Sequence, residues 1–427
     1  MIAQSTSLTR PEHAEQRDEA RPVARVAYIM SRFPKLTETF ILYEALALEQ
    51  QGVAVELYPL LREPETVMHP EAAALVARAH YQPFVSWPIL RANAAFLARD
   101  PRRYLGALWA LLRGTFGSLN FFVGALGIFP KTVYFAQQMV AEGVEHVHAH
   151  FASHPAAAAF VIHRLVGIPY SFTAHGSDLH VDRHMLREKV AEAAFVVPIS
   201  DYNRELIVAE CGEQHRGKLA VIHCGVDTSV FRPVERSRGG ALAILCIGTL
   251  HEVKGQTYLI EACRLLRERG VDAVCRFVGE GEDRAALQAQ IDAVGLSDRV
   301  QLLGRRTREQ IAALLAETDV VVTPSVPTKS GKREGIPVVL MEAMGSGVAV
   351  VASRLSGIPE LVEHERSGLL APPRDAEALA EALARLAADP ELRARLGEAG
   401  REKVVREFDV RANAAALARH FGRNGSV

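Results

Sequence analysis

Short apolar runs alternate with segments of helical period along most of the chain. Ala24–Met30 is apolar enough for a buried strand and Ser31–Thr37 reads as the loop after it, with Thr37 as the N-cap of a helix that carries Glu38 in its first turn and stops at Gly52. Strand, loop and helix in this order form the opening half of a Rossmann-like unit, whose loop lies at the carboxyl edge, where ligands bind. Further strand-like runs occur at His146–His150, Tyr170–Asp178 and Ala194–Ser200, with Ile222–Asp227 closing this part. Residues 228–240 are rich in Pro, Arg, Ser and Gly and read as a linker, after which strands are expected at Ala241–Ile247, Val300–Gly304 and Asp319–Thr323. In Ala343–Ser353 a helix end, a glycine turn and a buried strand follow one another, which makes the preceding helix a crossover in a parallel sheet. Helical patterns at Ala376–Ala387 and Leu392–Val405 follow.

From about residue 88 to 138 the pattern changes to helices with little strand character. Asp100-Pro101 is a helix start, and Leu105, Leu108, Trp109 and Leu112 form an apolar stripe beside Arg102, Arg103 and Arg113. No charge occurs between Arg113 and Lys131, yet Gly, Ser and Asn interrupt this run and it falls short of the roughly 20 residues of a spanning helix, so no crossing of a bilayer is expected. Two readings stay open for this insert. It supplies core helices of the first domain, or it forms an amphipathic surface that contacts a membrane near a lipid-linked acceptor, as the basic flank and the cluster Phe116, Phe121, Phe122 and Phe129 suggest.

At 427 residues the chain is too long for one ordinary core and suits two domains. An apolar fraction of 49% with 23% charged residues is that of a globular protein in water. The formal net charge of −1 gives no global field to recruit nucleic acid or an anionic membrane, so any such attraction must be local. Cys211, Cys224, Cys246, Cys263 and Cys275 never fall in a C-x-x-C pair, which argues against a disulfide framework or a zinc knuckle and for a reducing, cytoplasmic setting. The first 21 residues are polar, lack the apolar centre of a secretory signal and read as a flexible tail.

The densest chemistry lies in Glu334-Gly-Ile-Pro-Val-Val-Leu-Met-Glu342. Pro337 suits the first position of a helix, which puts Glu334 in the loop before it and Glu342 inside it. The N–H groups of Gly335, Ile336, Val338 and Val339 would then point into the space between the two carboxylates, together with the positive end of the helix dipole, an arrangement suited to an anion. The alternative is an exposed loop Glu and an unrelated helix Glu. Taken with Ala343-Met-Gly and Ser356-Gly-Ile-Pro-Glu360, however, the segment resembles the donor-site signature of the retaining glycosyltransferases of family 4, with the GT-B fold, whose Glu-x7-Glu pair is Glu334 and Glu342 here. It looks most like the colanic-acid, exopolysaccharide branch, as does Ser31-Arg-Phe-Pro-Lys-Leu-Thr-Glu-Thr-Phe40.

The resemblance implies two Rossmann-like domains with parallel sheets facing a cleft: 22–227 for the acceptor, carrying the insert at about 88–138, and 241–402 for the nucleotide sugar. Residues 403–427 would form a last helix crossing to the first domain. Glu334 and His175 become the catalytic candidates, His175 because His-Gly-Ser-Asp segments of the family face the donor sugar. Glu342 would accept the ribose hydroxyls. Gly248, Thr249, Lys254 and Gly304 join 335–339 on the donor side, and Lys35, His150 and Asp178 are acceptor-side candidates, Asp178 as support for its loop. His146, His148 and His150 alternate on one side of a strand; a metal is conceivable, but a polar strand end lining the cleft is the commoner arrangement, and no metal is expected.

Members usually carry an Arg where this chain has Thr249, which removes one fixed positive charge from the leaving group. Arg284, Arg305, Arg306, Lys332 and Arg333 are candidates to replace it. The implied reaction moves a sugar from a nucleotide-sugar donor to a glycan or lipid-linked acceptor with retention, without a metal or cofactor and without nucleic acid. The setting would be cytoplasmic, peripheral to the membrane if the insert contacts it. A silent nucleotide-sugar-binding subunit and an epimerase or phosphorylase of the same fold are the rival readings.

Overall fold

A computed structural model describes residues 24–35, 38–63, 69–233 and 240–423. The tail at 1–21, Thr37 and part of the linker lie outside these residues.

Two parallel sheets organise the chain. The first contains β1 (Arg25–Phe33), β2 (Ala54–Arg62), β3 (His146–His150), β4 (Tyr170–Ala174) and β5 (Phe195–Pro198) in the order β2-β1-β3-β4-β5. The second contains β6 (Leu242–Ile247), β7 (Ala273–Val278), β8 (Val300–Leu302), β9 (Val320–Thr323), β10 (Ala349–Ser353) and β11 (Leu369–Ala371) in the order β11-β10-β9-β6-β7-β8. In both, strand order reverses beside the first strand, the position at which an open α/β sheet leaves a crevice beyond its carboxyl ends. Central strands such as β3, β4, β9 and β10 are buried along their whole length, because helices cover both faces.

β1 is longer than its apolar run suggests. Ser31, Arg32 and Phe33 continue the strand, with Arg32 opposite Leu61 and Phe33 opposite Arg62, since β2 runs far enough to pair with them. The following helix, Thr39–Gln50, has Glu38 at its N-cap without a side-chain capping bond.

The insert is three helices, Trp87–Arg99, Pro101–Thr115 and Leu119–Ala141, packed on one another and on helix His154–Val166. Asp100 caps the second, its Oδ1 accepting from Arg103 N–H at 3.0 Å. The third is 23 residues, long and apolar enough to span a bilayer by length and composition, because helical structure continues past Pro130 and Lys131 where the uncharged run ends. Half of its apolar window is nevertheless packed inside the protein, and Lys131 is buried with its Nζ donating to Leu60 C=O at 2.6 Å. The final helix, Val410–Arg423, packs on Thr39–Gln50 and puts Ala414, Leu417 and Phe421 into the first domain's core.

Candidate active site

The loops after β4, β6 and β9 converge where the two domains meet. The helix after β9 is Val338–Gly345, so it starts one residue later than the proline suggests. Pro337 is its N-cap, with φ −67° but an extended ψ of 125°, since the chain is still extended as it leaves Glu334. Leu340 N–H bonds the Pro337 carbonyl at 3.1 Å, leaving those of Gly335, Ile336, Val338 and Val339 without an acceptor among the described residues.

This amino end faces the first domain at contact distance. A Cβ on Gly335 would lie 2.4 Å from the His175 carbonyl oxygen, and one on Gly176, whose φ is +114°, would lie 3.1 Å from Gly335 Cα. Only a glycine opposite a glycine permits this approach. Nearby, the Glu360 carboxylate accepts from Asp201 N–H at 2.7 Å and Tyr202 N–H at 2.8 Å, satisfying the first turn of helix Asp201–Cys211 across the interface. Arg333 donates to the Tyr202 hydroxyl at 3.3 Å.

Glu334 is held from both sides. Lys254 Nζ lies 2.7 Å from its Oε1 and the Ser325 hydroxyl donates to Oε2 at 3.1 Å. The lysine stem passes over Gly248, where a Cβ would stand 3.2 Å from it. Glu342 differs: it is half-buried, and no hydrogen bond or ion pair reaches its carboxylate from the described residues. Burial pushes its pKa from the ordinary 4.5 up to about 7, against the pull of the Arg308 guanidinium. Arg308, itself buried, stacks 4.0 Å from the Tyr43 ring and lies 3.7 Å from Glu71 Oε1 and 4.0 Å from Asp227 Oδ2. Thr249 is exposed, its carbonyl accepting from Gln256 Nε2 at 2.9 Å, and the Gly304 carbonyl accepts from Gly279 N–H at 3.0 Å.

On the first domain, the His175 ring turns inward. Its Nε2 is 3.2 Å from His150 Nδ1, its Nδ1 is 3.6 Å from Cys224 Sγ, and Phe40 and Phe151 pack on the ring at 4.5 and 4.6 Å. Burial, then the neighbouring His150, drive its pKa well below the usual imidazole value, so it stays neutral. What the residue presents to Gly335 is its main-chain carbonyl. Asp178 accepts from the N–H groups of Ala152 at 2.6 Å, His175 at 3.1 Å and Gly176 at 2.8 Å, which ties the loop together.

One acceptor-side expectation needs correction. His150 is fully buried behind His175, its Nε2 3.4 Å from Glu44 Oε1, and does not line the gap. The three alternating histidines point into the first domain because β3 is the middle strand of its sheet and both of its faces are covered. Lys35 is engaged locally, with Nζ 2.6 Å from Glu38 Oε1.

Of the candidate replacement cations, Arg284 pairs with Glu280 at 3.0 Å and Arg306 donates to Arg305 C=O at 2.8 Å. Arg333 makes a contact that crosses to the first domain. Glu44, His148 and His150 bring one ligand atom each within 4.8 Å of the others. Both ring nitrogens of His148 already face hydroxyls, Ser171 at 2.8 Å and Thr173 at 2.9 Å, so this group does not fit a metal. A second cluster, Glu56, His80 and Glu142, lies away from the convergent loops, where Glu142 accepts the Tyr58 hydroxyl at 2.6 Å.

Family models match both halves: Glycosyltransferase Family 4 over residues 37–230 and Glycosyl transferases group 1 over 227–403. The chain is 32% identical over 406 residues to WcaL of Escherichia coli K12, a glycosyltransferase named for colanic acid biosynthesis, covering 90% of this chain and 96% of WcaL. It belongs to glycosyltransferase family 4. This family 4 chain is also 31% identical over 405 residues to the amylovoran biosynthesis glycosyltransferase AmsK of Erwinia amylovora, with 90% and 96% covered. Among solved structures it superposes on Anabaena HepE in complex with UDP-glucose with a TM-score of 0.67 at 18% identity, covering 92% of this chain and 98% of HepE, which supports the GT-B fold. A Rickettsia africae glycosyltransferase gives a TM-score of 0.69 at 15% identity, with 94% and 98% covered.

Sequence reading missed Ser325, Arg308 and the inward chain of Glu44 and Cys224, and it named Glu360 without the helix that it caps. Ser325 had a signal, since it lies just past the carboxyl end of β9 where ligand loops begin. Arg308, Glu44 and Cys224 have none, because the partners that matter here, Asp227, His150 and His175, lie 81, 106 and 49 positions away.

Proposed function

We propose that this glycosyltransferase moves a hexosyl unit from a nucleoside-diphosphate sugar to a glycan or lipid-linked saccharide acceptor, with retention and without a metal, in exopolysaccharide assembly on the cytoplasmic side of the membrane. The observation that carries the reading is the helix amino end at Gly335–Val339, set between Glu334 and Glu342 and facing the His175 carbonyl across the interface. Free N–H groups and Lys254 supply positive charge for a diphosphate, which is what a metal would otherwise provide. Lys254 is paired with Glu334, and a dianionic diphosphate competes for it, freeing Glu334 to hold sugar hydroxyls. Glu342 is then the ribose acceptor. HepE, with its bound UDP-glucose, and the five free buried cysteines agree with this substrate class and a reducing setting.

In the reaction the bond from the anomeric carbon to the diphosphate oxygen breaks as the acceptor oxygen bonds to the same face. The acceptor proton passes to the departing phosphate oxygen. The His175 loop walls the cation-like sugar from water, its carbonyl dipole directed at the gap.

A thermal-shift screen of nucleotide sugars tests the reading, because a donor that binds only the folded chain raises its Tm. Transfer by the wild type, its loss in Glu334→Ala and unchanged donor binding in Thr249→Ser are expected. No response to any nucleotide sugar sinks the proposal. Donor binding without turnover, indifferent to Glu334→Ala, favours the silent subunit that exposed Thr249 motivates.

A further inference from the structure

We propose that the outer face of the helical insert, within residues 87–126, is a docking surface for an anionic lipid bilayer, which the protein lies on rather than crosses. The chain has two tryptophans, and both are exposed on helices of this insert, Trp87 at 76% and Trp109 at 68%. Tryptophan is ordinarily among the more buried residues on average, and its exposed use is at interfaces and the headgroup layer of membranes.

The exposure follows helical period. Pro101–Thr115 buries Ala107, Leu111 and Thr115, while the opposite stripe is Arg102, Leu105, Trp109 and Arg113, running on to Phe116 just past the helix. Leu105 is 54% and Phe116 79% exposed. The next helix continues the feature with Leu119 at 80%, Val123 at 58% and Leu126 at 46%. An outer face that alternates large apolar side chains with arginines differs from both an ordinary solvated face and a core face.

Charge selects the occupant. From residue 84 to 130 there are five arginines (91, 99, 102, 103 and 113) and one acid, Asp100, a net of +4. All five arginines are exposed, and Asp100 is occupied by its cap. A second copy bound through the same face would set two basic surfaces against each other, which disfavours self-association. Anionic headgroups neutralise the arginines while Trp87, Trp109 and Phe116 enter the acyl boundary and the arginine stems remain along it. A spanning mode is disfavoured by buried Lys131 and the packing of helix Leu119–Ala141 on its neighbours. The surface is also bolted to the first domain's side of the gap. The Ser118 hydroxyl donates to Asp182 Oδ2 at 2.6 Å, and a Cβ on Gly117 would meet His184 Nε2 at 3.2 Å, both residues of the segment that follows the His175–Asp178 loop.

Because both tryptophans lie here, the full chain's emission on red-edge excitation, where its nine tyrosines barely absorb, reports this insert. With vesicles of phosphatidylcholine containing a quarter phosphatidylglycerol, the emission should move to shorter wavelength and the protein should co-sediment at low salt. Binding should weaken at high salt and with pure phosphatidylcholine. Leu105→Ser/Phe116→Ser and Arg102→Glu/Arg113→Glu should each lower vesicle affinity by about tenfold or more while keeping the wild-type Tm and donor-induced thermal shift. No spectral change and no co-sedimentation, or binding that neither variant alters, overturns the proposal. So does concentration-dependent self-association that buries the tryptophans without lipid. Vesicle binding and donor binding are read separately, so failure here leaves the transfer reading standing, and the reverse.

Discussion

Asp178 and Glu342 are both carboxyl groups withdrawn from water near the domain interface, and their surroundings are opposite. Three backbone N–H groups bond Asp178 and offset only part of the burial that raises its pKa. Glu342 is raised to about 7 by burial with no such bond. Glu342 is only half-buried and has no partner among the described residues, so its carboxyl group is open to a ligand that reaches it. The same contrast extends outward. The first domain's loop is saturated by its own contacts, His175 included, and forms a fixed wall. The second domain's helix amino end leaves N–H groups and a carboxylate available.

The sharpest way to break this comparison is Glu334→Ala. On the role proposed for it, transfer should fall by about a hundred- to a thousandfold while Tm changes little, since the loss is of one part-exposed ion pair; a radiolabelled transfer assay beside a melting curve checks it. Asp178→Ala should do the reverse. It strands three N–H groups and should cost about 2–4 kcal/mol of stability in urea denaturation, with activity lost only as the loop loosens. Lys254→Ala should weaken donor binding by about ten- to a hundredfold in calorimetry, the size of one charge-assisted contact, with little effect on urea stability.

The smallest effect is a pH dependence. Between the ordinary 4.5 and about 7 the folded chain retains a proton on Glu342 that the unfolded chain has released, so this group's contribution to stability declines as pH rises across that window and is level above it. Glu342→Gln should remove this component, and the Tm difference between variant and wild type should grow in the variant's favour from pH 5 to 7. A constant difference would mean that Glu342 is ionised in the folded state like any exposed carboxylate.

Much of the site was legible because it is local. Glu334 and Glu342 are eight positions apart on one loop and helix, and the glycines and proline between them fix the backbone they need. Lys254 followed from the family resemblance. The Lys254–Glu334 pair, by contrast, joins residues 80 apart, and nothing in either segment states that they meet. His150 was misplaced for the related reason that alternation tells which residues share a side of a strand, while only the neighbouring strands tell which sides are covered.

By itself the sequence determined the strand and helix segments, their parallel α/β order, the family, and the residue types bracketing one helix amino end, since turn chemistry and period act over a few residues. Tertiary structure alone decided that Gly176 meets Gly335, that Glu360 caps a helix of the other domain, that the His175 ring turns inward, and that a helix of spanning length lies packed. These depend on which surfaces exclude water together, and exclusion is a property of the assembled layers rather than of any one segment.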